Sequence, residues 1–285
     1  MYTIFDWENE GKCVFHLNNN ALVEAALFEH HDSIHLCVPT QVGCSMGCKH
    51  CATTYAPIPY MRNLSSTELI EMIEAIKERV QCKSSPLVLS FSGHGEPMMN
   101  WCNVHKCISN FHDSFSNIYV TSIGVIKTMN NILSDADFHP DIYFSIHGSS
   151  DKERALLIPA TKNKAIANLQ HIIDFGKAYT QQGGRVIWNY MICNINSSKT
   201  SLEHLLELCT HIDYPLELRF TKYIDIHEDE SIYAVEDNIS NLFCQRILLE
   251  TKPNICVRLS KLEGEGLGIA CGQMRAYIQK NKLTD

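Results

Sequence analysis

Leu36-Cys-Val-Pro-Thr-Gln-Val-Gly-Cys-Ser-Met-Gly-Cys-Lys-His-Cys51 is the stretch on which the reading of this chain turns. It sets Cys44, Cys48 and Cys51 as C-x3-C-x2-C, three thiols rather than four. Three cysteines can hold three irons of a [4Fe-4S] cube and leave the fourth iron open to a ligand that the protein does not supply. The alternative is zinc, completed by His50 or Cys37. Zinc motifs usually pair two C-x2-C knuckles, and the sequence contains no second one. His50 itself reads as a solvated loop residue.

Working outward, 285 residues that are 45% hydrophobic suit one large α/β domain. Residues 1–10 are acidic and lack a continuous apolar run, so neither a signal peptide nor an anchor is expected there. No later stretch approaches a membrane span. Thirteen cysteines without an export signal predict a reducing cytoplasm. Cys13, Cys82, Cys102, Cys107, Cys193, Cys209, Cys244 and Cys256 share no ligand spacing and are expected to be small buried hydrophobes. The net charge of −8 argues against broad attraction to a polyphosphate, while leaving room for a local basic patch.

After Cys51, short β-branched runs alternate with amphipathic stretches, as in strand-helix units around a parallel sheet. Strands are expected at 34–38, 87–92, 118–122, 142–146, 186–192 and 216–223. Helical patterns fall at about 65–80, 102–111, 125–133, 164–179, 198–211 and 238–251. Ser65 and Ser66 read as an N-cap, with Glu68 completing a capping box. Six units are too few for a closed eight-stranded barrel, so the expectation is an open, partial (β/α)6 barrel over 34–285. Residues 1–33, with turn signals at Gly11 and at 18–20, read as a small β extension. In parallel barrels the ligand site gathers at the C-terminal ends of the strands. The cysteine loop, Gly93-His-Gly-Glu-Pro97, Thr121-Ser122 and Ser145-Ile-His147 all fall there.

The cysteine spacing resembles that of radical S-adenosylmethionine (SAM) enzymes, and further motifs narrow the resemblance. From about Tyr2 to Tyr277 the chain resembles the class A radical SAM methyltransferases, the RNA adenine methylases of the RlmN and Cfr type. Cys37 matches a cysteine seven residues before the first cluster cysteine, and Ala270-Cys-Gly-Gln273 matches a C-terminal motif that carries a second one. Glu24 occupies the place of the family's base, thirteen residues before Cys37. Arg62-Asn-Leu64, Gly95-Glu-Pro97, Ser145-Ile-His147, and Arg154 with Pro159 also echo family motifs.

This resemblance implies a chemistry for carbons such as carbon 2 of adenine, which lie between ring nitrogens and are too electron-poor to attack a SAM methyl group. Cys271 would take a methyl group from one SAM, and a second SAM at the open iron would be cleaved to a 5′-deoxyadenosyl radical. A carbon radical on the S-methyl group would then join the ring. Glu24 would remove the ring proton. Cys37 would attack the Cys271 sulfur, free the product and leave a disulfide to be reset by a thiol reductant. Gly95 and Glu96 would receive the SAM amino group, with Thr121, Ser145, Ile146 and His147 lining the rest. An electron donor such as flavodoxin or ferredoxin is implied.

Departures concentrate on substrate recognition. The family's N-terminal helical RNA-handling domain is not expected ahead of Glu24, and the 51–62 loop is about two residues longer than usual, with Pro57 and Pro59. Lys222 stands where the family supplies an asparagine to SAM, and an acidic run follows at 225–230. Three readings follow: a methylase of an adenine-like or other heterocycle, a minimal RNA adenine methylase, and a cluster-bearing redox or binding protein without methylation.

Overall fold

The computed structural model describes residues 2–7, 10–17, 21–30, 32–80, 85–135, 138–225 and 230–259. Cys82 and the whole Ala270–Gln273 motif, Cys271 included, lie outside the described residues. The chain divides into two compact units. One comprises 1–45, 51–121 and 264–285, and the other comprises 46–50 and 122–263.

The first unit opens with an antiparallel meander of β1 (Tyr2–Trp7), β2 (Glu10–His16) and β3 (Leu22–His30). β3 in turn pairs antiparallel with β4 (Ser33–Cys37). A short hairpin of β5 (Gln41–Gly43) and β6 (Tyr60–Asn63) follows. Then comes α1 (Ser66–Val80), whose Leu69, Met72, Ile73, Ile76 and Val80 recur at helical spacing and are all buried. The expected capping box is present: Ser65 Oγ accepts from Glu68 N, and Ser65 N donates to Glu68 Oε2. β7 (Leu87–Phe91) pairs parallel with β4 and, on its other side, with β8 (Asn117–Ser122). α2 (Trp101–Phe111) connects them.

In the second unit α3 (Ile126–Leu133) precedes β9 (Asp141–Ser145), α4 (Asp151–Leu157) and α5 (Leu169–Gln181). β10 (Val186–Ile192), α6 (Lys199–Thr210), β11 (Leu216–Lys222), α7 (Asp237–Glu250) and β12 (Ile255–Leu259) complete it. Its four strands are parallel in the order β9-β10-β11-β12. Trp188, Tyr190, Phe144 and Phe220 are fully buried from alternate strand positions, which gives these strands their near-continuous apolar sequence.

All six expected strands form, together with β5, β6 and β12, which the sequence reading did not include. The six expected helices form within a few residues of their bounds, and α4 is additional. Among the described residues no helix is long and apolar enough to cross a membrane.

Candidate active site

In the first unit the register brings Glu24 and Cys37 together. Cys37, the last residue of β4, pairs with Ala26 on β3 and with Ser90 on β7. Side chains two residues apart on a strand share a face, so Glu24 lies on the Cys37 face as a diagonal neighbour, at roughly 7–8 Å between backbones. A glutamate in an apolar strand is ordinarily the solvated face, yet Glu24 is only 2% exposed. Cys37 is half-buried, with Sγ 3.1 Å from Ser92 Oγ.

The hairpin fixes the first cysteine. Gly43 has φ +84, and a Cβ on it would lie 2.0 Å from the Pro59 carbonyl oxygen, so only glycine fits. That same carbonyl accepts a 2.6 Å hydrogen bond from Cys44 N. Pro59 of the 51–62 loop thus holds the backbone of the first motif cysteine. Cys51 begins the turn at Ala52–Tyr55. Burial pushes its thiol up, hydrogen bonds from Thr53 and Thr54 pull it down, and the Glu24 charge raises it further.

The loop after β7 is stitched beneath the one after β4. Gln41 accepts from Glu96 N at 2.9 Å and donates to Asn63 Oδ1 at 2.7 Å. Asn100 donates to the Thr40 and Leu64 carbonyls, both at 2.7 Å. Gly95 has φ +107, and a Cβ there would meet Gln41 N and the Thr40 hydroxyl at 2.7 Å. Glu96 is buried, with one carboxylate oxygen capping its own turn through Met98 N. Thr121 is half-buried near the end of β8. Arg62 forms a two-pronged pair with Glu68 at 2.9 and 2.7 Å, which ties β6 to the start of α1.

In the second unit Ser145 ends β9, and Ile146 N continues the ladder to Asn189 O at 3.0 Å. His147 has φ +45, the one non-glycine residue with positive φ among the described residues. A strained backbone of this kind persists only where its surroundings fix it. Here Met191 N donates to Nδ1 at 3.1 Å and Asn196 Nδ2 donates to the carbonyl at 3.0 Å. Burial first, then the His50 and Arg154 charges, hold the His147 pKa well below 6.5, so the ring is neutral, and acceptance at Nδ1 leaves its proton on Nε2.

His50 departs from the solvated loop residue expected. It is half-buried, packs edge-on against His147 at 4.8 Å, and its pKa is lowered to about 4 by burial. The cause is Lys49 N, which donates to Leu157 O at 2.9 Å and draws the loop onto the end of α4.

Arg154 is fully buried and donates at 2.5 Å to both the Ala167 and Ile123 carbonyls. Arg154→Met is expected to destabilise the chain by about 3–5 kcal/mol, since a buried charged donor is lost and two carbonyls are stranded. Urea unfolding of the metal-free chain measures it. Arg154→Lys should recover only part, because an ammonium lacks the planar fork.

Lys222, at the end of β11, is held by Asp237 at 2.6 Å, the first residue of α7. Asp225 and Glu230 are exposed, and 226–229 of the acidic run lie outside the described residues. Of the remaining cysteines, Cys13, Cys107, Cys193, Cys209 and Cys244 are buried as expected. Cys102 and Cys256 are exposed instead. Each lies on the outward side of an amphipathic element, where its neighbours' spacing and not its own polarity decides exposure.

Among the described residues no three His, Cys, Asp or Glu side chains are drawn into a ready-made metal-binding group. The donor set still suits an iron–sulfur cluster. Cys44, Cys48 and Cys51 are half-buried reduced thiols on one short loop, and a bound cation would reverse the upward shift at Cys51.

No family model matches the chain. It is 29% identical over 277 residues to a probable dual-specificity RNA methyltransferase RlmN of Flavobacterium johnsoniae, covering 93% of this chain and 76% of that protein. Its fold is similar to that of a radical SAM methyltransferase from Sphaerobacter thermophilus, with a TM-score of 0.84 and 23% identity over 97% of this chain and 81% of that one. A more distant similarity, TM-score 0.56 at 11% identity over 79% of this chain and 64% of that one, is to anSMEcpe with bound AdoMet.

Proposed function

We propose that this chain, a radical SAM methyltransferase resembling the RlmN proteins, installs a methyl group on an sp2 carbon of an adenine-like ring through an S-methylcysteine at Cys271. The observation that carries this reading is the register that sets buried Glu24 and half-buried Cys37 on one sheet face. A base and a second thiol side by side are what the release of a ring-bound thioether requires.

Cys44, Cys48 and Cys51 would hold a [4Fe-4S] cluster. Gly95, Glu96, Thr121, Ser145, Ile146 and His147 would contact SAM. When bound, cluster and SAM supply a 5′-deoxyadenosyl radical by one-electron reduction of the sulfonium. The chain's own groups do the rest. The Cys271 thiolate takes a methyl group by displacement and becomes the arm to which the ring is joined. Joining the methylene radical to the ring would leave a ring radical, which would give back the one electron spent in making the 5′-deoxyadenosyl radical, while Glu24, ionised and close to the ring, removes the proton from the carbon under substitution.

The Cys37 thiolate then attacks the Cys271 sulfur. An S–S bond forms, and the C–S bond to the methylene breaks with its electron pair left on carbon, which takes up a proton to become the methyl group. The two thiols are oxidised by two electrons, and an external thiol reductant restores them. Lys222, paired with Asp237, is assigned no contact to SAM.

The similarity to a probable RNA methyltransferase supports a ring carried in RNA. The net charge of −8 favours instead a free heterocycle, and so a second reading. One assay separates them. The reconstituted chain receives SAM, a low-potential electron donor, and either unmodified ribosomal or transfer RNA or small adenine compounds, and mass spectrometry follows the product. Methylated RNA, with affinity falling steeply with salt as phosphate contacts require, supports the RNA reading. Turnover of small compounds alone supports the second. Loss of product without S-methylation of Cys271 in either arm overturns both.

A further inference from the structure

Cys37 does not meet its sheet face alone. Ser90 lies directly beside it across the β4–β7 ladder. Ser90 Oγ donates to Ser92 Oγ at 2.6 Å, and Ser92 Oγ lies 3.1 Å from Cys37 Sγ. A hydroxyl carries one proton and two acceptor positions. Once Cys37 is ionised its sulfur can only accept, so the proton of Ser92 points at it while the Ser92 oxygen accepts from Ser90. The two serines form a directed chain that ends on Cys37.

The direction matters because of what else faces this thiol. From β3 the buried Glu24 shares its face, and the same carboxylate raises the Cys51 thiol. On its own strand His35 is turned to Ser33 Oγ at 3.0 Å and stacks on Phe28. Ser90 on β7 and Ser92 just after it face the thiol as well. A carboxylate beside a cysteine disfavours the thiolate, whereas a hydroxyl donated to the sulfur favours it. The base and the resolving thiol need each other's proximity and oppose each other's charge.

We infer that Ser92, oriented by Ser90, is a positioning residue that donates to the Cys37 sulfur and keeps it available as a thiolate beside Glu24. The inference rests on the proposed resolving role of Cys37 for its use in turnover, though not for the contact itself. It also gives the sequence Ser90-Phe-Ser92 a purpose, since alternate positions put both hydroxyls on one face and Phe91 in the core.

The test is site-resolved alkylation of the metal-free full chain under reducing, anaerobic conditions. Iodoacetamide labelling of each cysteine is followed by peptide mass spectrometry across pH. Ser92→Ala is expected to slow Cys37 labelling about tenfold at neutral pH and to move its half-maximal pH up by about one unit, the scale of one lost hydrogen bond to a charged group. Ser92→Thr should restore the parent profile. Ser90→Ala, which keeps the Ser92 hydroxyl and frees its proton to turn away, should give a smaller shift in the same direction. Labelling of exposed Cys102 in the same sample should not move, which separates a local effect from unfolding. Unchanged Cys37 profiles in both alanine variants would overturn the inference. A shifted profile together with normal turnover by Cys37→Ala would leave the serine chain standing and remove the resolving role.

Discussion

Cys37→Ala is expected to stop after a single event and to keep its substrate as a covalent adduct on Cys271. Multiple turnover should fall by about a thousandfold or more, the scale of deleting an acting nucleophile. The expectation follows from geometry as well as motif. Cys37 ends β4, where the next residues turn into the loop that carries Cys44, and its sulfur shares a face with Glu24. No second described cysteine occupies that face of β3, β4 or β7, so none can take over the attack. Intact-mass measurement of the quenched enzyme should show the substrate mass added in Cys37→Ala and absent in the Cys37→Ala/Cys271→Ala pair. Sustained multiple turnover by Cys37→Ala would remove the two-thiol mechanism.

Single substitution of Cys44, Cys48 or Cys51 by alanine should abolish cluster retention. Anaerobic reconstitution of the parent chain is expected to give about four irons and four sulfides per chain, and each variant close to none, because two thiolates cannot hold a cube that already has one open iron. Iron and sulfide analysis reads the result together with the visible absorption of the cluster. Cys102→Ala, on the exposed side of α2, serves as the control and should bind like the parent. A parent that takes up one zinc with four protein ligands, and no sulfide, would overturn the assignment.

The strands that were legible are those whose burial on both faces writes itself into the sequence. Val186–Ile192 is apolar at nearly every position and was placed to the residue. β12 was not legible, because Ile255-Cys-Val-Arg-Leu259 is an edge strand with mostly exposed positions and lacks that run. α4 was missed because seven charged-rich residues make too short a period to detect. For the site, the cysteine spacing is local and could be read directly. The diagonal of Glu24 and Cys37 could not, since it depends on which residue of β3 faces which of β4, and a slip of one would turn Glu24 to the other face. The left-handed backbone of His147 left no trace either. It is imposed by Met191 and Asn196, more than forty residues away in sequence.

The buried cysteines decide how the protein meets oxygen. Burial pushes the thiols of Cys107, Cys209 and Cys244 up to about 12 and that of Cys193 to about 11, so near neutrality they are almost wholly protonated and poor targets for oxidants. Exposure to air should therefore damage this molecule from the motif loop outward, with sulfur lost from the loop while the interior keeps its shape. An inactive, aerated sample would remain folded, and its repair would be a matter of reduction and reloading rather than of refolding.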